Sequence, residues 1–163
     1  MNRSRSDKCL AGAAARELNL ESLPPSAQSD AALGLQGTNV WVYPSFDHDA
    51  NVEHFARDID APLPAVYLSF PSAKDPDHQR RHPGKSTVEA ITMLPYAAFG
   101  RWGETRWKRR GDEYKELLAA RLRAELQRQV PSVVGNIAHT ELSTPVTTRH
   151  FMNYGHGEIY GIA

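Results

Sequence analysis

The stretch GDEYKELLAARLRAELQRQVP, residues 111–131, constrains this chain more than any other. Tyr114, Leu118, Leu122, Leu126 and Val130 recur every four residues with Leu117 beside them, the spacing of one apolar stripe along an α-helix. Lys115, Arg123 and Gln127 are expected to face water. Asp112 and Glu113 favour the dipole of the first turn, and Pro131 ends the helix. A helix with a single apolar stripe needs a surface to cover, and the apolar residues elsewhere are arranged to supply a sheet.

TNVWVYPSF (38–46) carries Val40, Trp41, Val42 and Tyr43 and is closed by Pro44, which predicts a strand. VEHFARDID (52–60) predicts a short helix with Phe55 inward, and PAVYLSFPS (64–72) a second strand bounded by prolines. STVEAITMLPY (86–96) predicts a third, with Val88, Ala90 and Thr92 on one face and Thr87, Glu89 and Ile91 on the other. Between the last two lies AKDPDHQRRHPGK, polar and turn-rich, so they form a hairpin with a long tip. Asp75, Asp77, His78 and His82 in that tip lack a spacing that fixes metal geometry, and a solvated loop is favoured over a metal site. After the long helix come an irregular strand (132–144), a short helix TTRHFMNY with Thr147 or Thr148 as N-cap, and a final strand GEIYGIA. The order predicts an α+β fold, a mixed β-sheet with helices packed on one face.

The first 32 residues differ in character. ESLPPSAQSD (21–30) is linker-like, and LAGAAARELNL before it predicts at most a short helix with little apolar surface, so residues 1–32 are expected to be loosely ordered. Cys9 is the lone cysteine; it excludes an intramolecular disulfide and a cysteine-based metal site, and is read as incidental rather than catalytic. Nineteen basic and nineteen acidic residues give a formal net charge of zero, so no global field recruits a polyanion. RWGETRWKRRGDEY places Trp102 and Trp107 among bases, but a docking turn is preferred there to a nucleic-acid platform. No run approaches the length of a spanning helix, and the N-terminus has too short an apolar run for a secretory signal. The expectation is a cytoplasmic protein without a transmembrane segment, with peripheral membrane contact left open.

Phosphate-binding glycine loops, G-x-S-x-G, H-E-x-x-H and C-x-x-C are absent from the sequence. His139 with Glu141, and His150 with Glu158, can be drawn as acid/base pairs, but nothing in the sequence converges them on a pocket.

Five stretches together, NVWVYPSFDHDANVEHFARD, VYLSFPSAKDPD, RHPGKSTVEAITMLPY, RWGETRWKRRGDEYKELLAARL and TELSTPVTTRHFMNYGHGEIYGIA, resemble the distal half of flavin-dependent oxidoreductases of the phytoene desaturase and retinol saturase type. The resemblance covers residues 33 to 163. It implies that this region is part of a substrate-binding domain from a Rossmann-type FAD enzyme, an incomplete, internal to C-terminal fragment that is inactive alone. FAD would be the cofactor of the intact protein, binding poorly to this chain by itself. The implied partners are an apolar small-molecule substrate, a polyene or similar, acted on at a carbon-carbon bond, and the FAD-binding portion of the same protein. By resemblance Thr144, Pro145, Thr148, Phe151, Tyr160 and Gly161 lie nearest flavin and substrate, with Pro145 setting a turn and Gly161 allowing close backbone approach. Val40, Trp41, Tyr67 and Phe70 are weighed as lining of an apolar cavity against ordinary core, and core is favoured. No catalytic acid, base or nucleophile is assigned, and no metal. The alternative is a non-catalytic binding or interaction module that keeps the substrate-domain fold.

Overall fold

The computed structural model describes residues 8–19, 30–35, 37–96, 99 and 112–153. In chain order the elements are β1 (Lys8–Asn19), β2 (Val40–Val42), α1 (His48–Arg57), β3 (Val66–Ser69), α2 (Pro71–Lys74), α3 (His78–Arg81), β4 (Lys85–Pro95), α4 (Asp112–Gln129), a 3-10 turn (Pro131–Val133), β5 (Ile137–Leu142) and α5 (Pro145–Met152). The fold is α+β.

The strands form a five-stranded sheet in the order β2-β3-β4-β1-β5. Every pairing among the described residues is antiparallel, which corrects the expectation of a mixed sheet. β3 and β4 pair directly as antiparallel neighbours across a long tip that holds α2 and α3, with Tyr67 opposite Ile91, so no parallel crossover joins them.

The second correction concerns LAGAAARELNL, expected as a short helix. It is the greater part of β1, paired with β4 on one side and β5 on the other, with a register shift between Ala15 and Leu18. Alanine's helix preference is a weak prior against a two-sided ladder that satisfies the backbone. β4 supplies the template: it runs eleven residues, β3 pairs with only the part from Glu89 to Thr92, and β1 covers its other edge.

Alternation in β4 buries Ser86, Val88, Ala90, Thr92 and Leu94 on one face, as the sequence predicts. Thr92 is buried with its hydroxyl satisfied, donating to the Ala65 carbonyl at 2.7 Å. The helices cover this face. Leu122 and Leu126 of α4, with Val130 just after it, pack on Val66, Leu68, Phe70, Val88 and Ala90; Leu118 joins Phe55 of α1, Leu94, Phe99 and Val146 of α5 in a second cluster. The α4 stripe is thus the predicted one, although Leu117 is exposed and the outermost row is Glu116, Ala120, Ala124 and Arg128 rather than Lys115, Arg123 and Gln127, which are half-buried.

Helix α1 begins four residues earlier than predicted because Asp47 caps it, its carboxylate accepting from the Ala50 N–H at 2.9 Å. The hairpin tip is more ordered than a solvated loop. It folds into α2 and α3, and Gly84 at φ +67° supplies the left-handed turn into β4. Trp102, Trp107 and the final strand GEIYGIA lie outside the described residues. Among the described residues, no helix is long and apolar enough to cross a membrane.

Candidate functional site

With α1, α4 and α5 on one face of the sheet, the other face is, among the described residues, left to the odd-numbered positions of β2, β3 and β4. Trp41 pairs with Tyr67, and Tyr67 with Ile91, so three large side chains form one row across three strands. The Trp41 and Tyr67 rings lie 4.8 Å apart, tilted by 53°, and Trp41 also stacks on Tyr43 at 6.2 Å and 7°. Beside this row is a cleft of about 380 Å3, lined by Asn39, Trp41, Ala65, Tyr67, Ile91, Thr92 and Met93. Trp41 remains 58% exposed, so its ring lines the cleft rather than the core.

The four cavity candidates therefore divide. Trp41 and Tyr67 line the open-face cleft; Phe70 is buried in the helix-side core and Val40 packs against that core. Asn39, Ile91 and Met93 were missed as lining residues. Period-two alternation from Trp41 and Glu89 carried part of that signal, but the cross-strand register that joins them did not exist in the sequence.

The candidates on α5 serve the helix itself. Thr144, not Thr147 or Thr148, is the N-cap, because Pro145 occupies the first helical position, where its missing N–H costs nothing. The Thr144 hydroxyl accepts from the Thr147 N–H at 3.4 Å, and the Thr148 hydroxyl donates back to the Thr144 carbonyl at 3.4 Å. Thr144 and Pro145 are buried, whereas Phe151 is 67% exposed. Asn153 closes the helix at φ +58°, its N–H bonded to the Arg149 carbonyl. Because Val146 packs with Leu94 and Leu118, α5 sits on the helix-covered side, and the structure does not bring Thr144, Pro145, Thr148 and Phe151 together with Trp41 and Tyr67. Tyr160 and Gly161 lie outside the described residues. Replacing Thr144 by alanine should destabilise the fold by about 1 kcal/mol and replacing it by serine much less, read as urea midpoints. Equal midpoints for all three proteins would mean that the cap carries no stability.

A second cleft, of about 400 Å3, lies between the end of β2 and α4, with Val42, Tyr43, Leu63 and Val66 below Arg121 and Arg128. Arg121 donates to the carbonyls of Ile59 and Ala61 and lies over the Phe55 ring, so its charge clamps a loop. Arg128 is held by Glu125, whose hydrogen bond and charge raise the guanidinium above its ordinary pKa. Among the tip residues, Asp75 bonds Arg81, Asp77 bonds Arg80, and His78 Nε2 meets the Lys85 carbonyl at 3.1 Å. Among the described residues no group of three or more His, Cys, Asp or Glu has metal-holding geometry. His139 and Glu141 are both exposed on β5.

FAD requires a cradle of backbone N–H groups or cations for its pyrophosphate. The open-face cleft offers one amide and apolar walls, and a Cβ placed on Gly34, Gly37 or Gly135 would meet nothing within 4 Å. The described residues do not fit the dinucleotide.

Among the described residues, an antiparallel sheet with one helix-covered face and one aromatic face defines an α+β layer. Comparison with known proteins is more specific. All-trans-retinol 13,14-reductase of Danio rerio is 31% identical over 136 residues, covering 79% of this chain, and the Homo sapiens protein of the same name is 26% identical over the same span. An inactive all-trans-retinol 13,14-reductase of Danio rerio is 39% identical over 87 residues, 51% of this chain. This chain belongs to the retinol saturase family. This chain spans 22% of the length of the first two relatives and 14% of the third. No protein-family model matches the chain, and no solved structure matches it.

Proposed function

We propose that this chain supplies a substrate wall to a flavin-dependent oxidoreductase acting on a carbon-carbon double bond of an apolar polyene, the flavin being held by residues other than those described. The reading is supported by one observation above all: the open sheet face carries the Trp41, Tyr67 and Ile91 row and its cleft while the opposite face is filled by helices, in a chain similar to the retinol reductases. In this role the chain binds, orients and shields the polyene, and the redox chemistry belongs to the flavin. The partial substrate domain would run from residue 33 onward and take in β1 (Lys8–Asn19) as well, since that strand lies between β4 and β5 in the same sheet. Thr144, Pro145, Thr148, Phe151, Tyr160 and Gly161 would approach the flavin only through elements outside the described residues, with α5 as their rigid base.

The test is a titration of the full chain with all-trans-retinol followed by retinol fluorescence anisotropy. About 21 non-hydrogen atoms at about 0.3 kcal/mol each give about 6 kcal/mol, a Kd of roughly tens of micromolar. The expected result is saturable binding that weakens at least about tenfold in the double variant Trp41→Ala, Tyr67→Ala, whose melting temperature stays close to the parent's because Trp41 is largely exposed and Tyr67 only half-buried. Non-saturable uptake, identical in parent and variant, would reject the cleft as a substrate wall.

A further inference from the structure

The open face is not apolar throughout. Ser69 lies opposite Glu89, one row along from Tyr67 and Ile91, and Asn39 stands two residues before Trp41, on the same side by strand alternation and in the lining of the same cleft. Lys74, the last residue of α2, ties this polar row together: its ammonium donates to Ser69 Oγ at 2.8 Å and to Asn39 Oδ1.

An ammonium has three donors and no acceptor, so the atom of the Asn39 amide that faces Lys74 must be its oxygen. Chemistry thereby fixes which way the amide is turned. Its nitrogen, with two N–H bonds, is directed away from Lys74, and among the described residues those bonds reach no protein acceptor. The result is an oriented hydrogen-bond donor at the solvent-exposed end of an apolar cleft, and convergent polar groups of this kind set the direction of a ligand in small-molecule sites.

Resting on the reading of this cleft as a substrate wall, we propose that Asn39 is a specificity-determining residue: its amide nitrogen donates to an oxygen at one end of a ligand lying along Trp41, Tyr67 and Met93. Lys74 acts through Asn39 as a positioning residue. A hydroxyl and a carbonyl oxygen both satisfy this, since both accept. A hydrocarbon of the same shape leaves the donor to water and gains nothing from it. One neutral hydrogen bond in a half-open site corresponds to about a threefold to tenfold preference.

The experiment titrates the full chain with all-trans-retinol, all-trans-retinal and the corresponding hydrocarbon lacking the oxygen. The parent should bind both oxygenated compounds about threefold to tenfold more tightly than the hydrocarbon. Asn39→Ala should equalise all three by weakening the oxygenated pair alone. Asn39→Asp should keep retinol, whose hydroxyl can donate to a carboxylate, and lose retinal, which can only accept. Lys74→Met frees the amide to turn, and should reduce the preference while leaving hydrocarbon binding unchanged. Equal binding of the three compounds by the parent, with Asn39→Ala unchanged, overturns the assignment and leaves the wall intact. Saturable binding of none of them overturns the wall and this assignment with it.

Discussion

Replacing Leu122 by alanine is expected to lower the free energy of unfolding by about 3 kcal/mol, within the range of about 2–5 kcal/mol for a core leucine. For a chain of this size that is a fall in melting temperature of about 6–12 °C. Leu122 is 1% exposed and belongs to the cluster in which α4 meets β3 and β4. The side chain has little room to be replaced: Leu68, Phe70, Val88 and Val133 in the same cluster are each 2% exposed or less. A cavity there would be flanked by strands whose positions are fixed by ladder bonds, so it would collapse poorly. Leu117→Ala is the matched control, with the same chemistry on the same helix at a position 45% exposed, and should cost no more than about 0.5 kcal/mol. Thermal or urea unfolding of the two variants checks the difference. Comparable losses would mean that α4 does not present the face described. The contrast also bears on function, because α4 fills one side of the sheet and thereby leaves the aromatic side to a ligand.

What could be read in the sequence was whatever repeats locally. The four-residue recurrence from Tyr114 to Val130 needs no partner to be visible, and the α4 stripe follows it. The β3–β4 hairpin was legible because prolines bound one strand and Val88, Ala90 and Thr92 alternate in the other. β1 was not, since an alanine-rich stretch has no period to show, and its state is decided by the two strands it joins. The cap of α5 lies three or four residues before the expected Thr147 or Thr148 because three threonines compete for the position, and Pro145, as first helical residue, decides in favour of Thr144. For the site, the partition of Val40 and Phe70 from Trp41 and Tyr67 follows from period-two alternation, which puts residues an odd number apart on opposite faces. Which of those faces is core depends on where the helices land. Asn39 became visible only through Lys74, which is 35 positions away in sequence.

Removal of the Ser72 hydroxyl is expected to cost about 2–4 kcal/mol, far more than a serine at the end of a predicted strand suggests. Ser72 is 3% exposed, in the short helix that follows β3. Its Oγ accepts the Thr87 N–H at 3.0 Å, taking the place of a ladder partner where β3 has ended and β4 continues. A hydroxyl has one proton. Two acceptors compete for it, Asp30 Oδ1 at 2.6 Å and the Thr87 carbonyl at 3.3 Å, and the shorter, charge-assisted bond to the carboxylate wins. Ser72→Ala thus strands a backbone donor of β4 and leaves the buried Asp30 with Gln79 Nε2 at 3.4 Å as its remaining side-chain donor. Asp30→Asn should remove part of the same penalty, so the double variant should be more stable than the sum of the single losses predicts, by about 0.5–3 kcal/mol. Urea unfolding of the four proteins supplies the cycle, and strict additivity would show that Ser72 and Asp30 act independently. The same turn carries Lys74 two residues on, so freeing Ser72 should also loosen the hold on Asn39 and narrow the preference for oxygenated over hydrocarbon ligands. A Ser72→Ala protein that loses stability yet keeps that preference in full would show that Lys74 holds Asn39 without help from the β4 anchor.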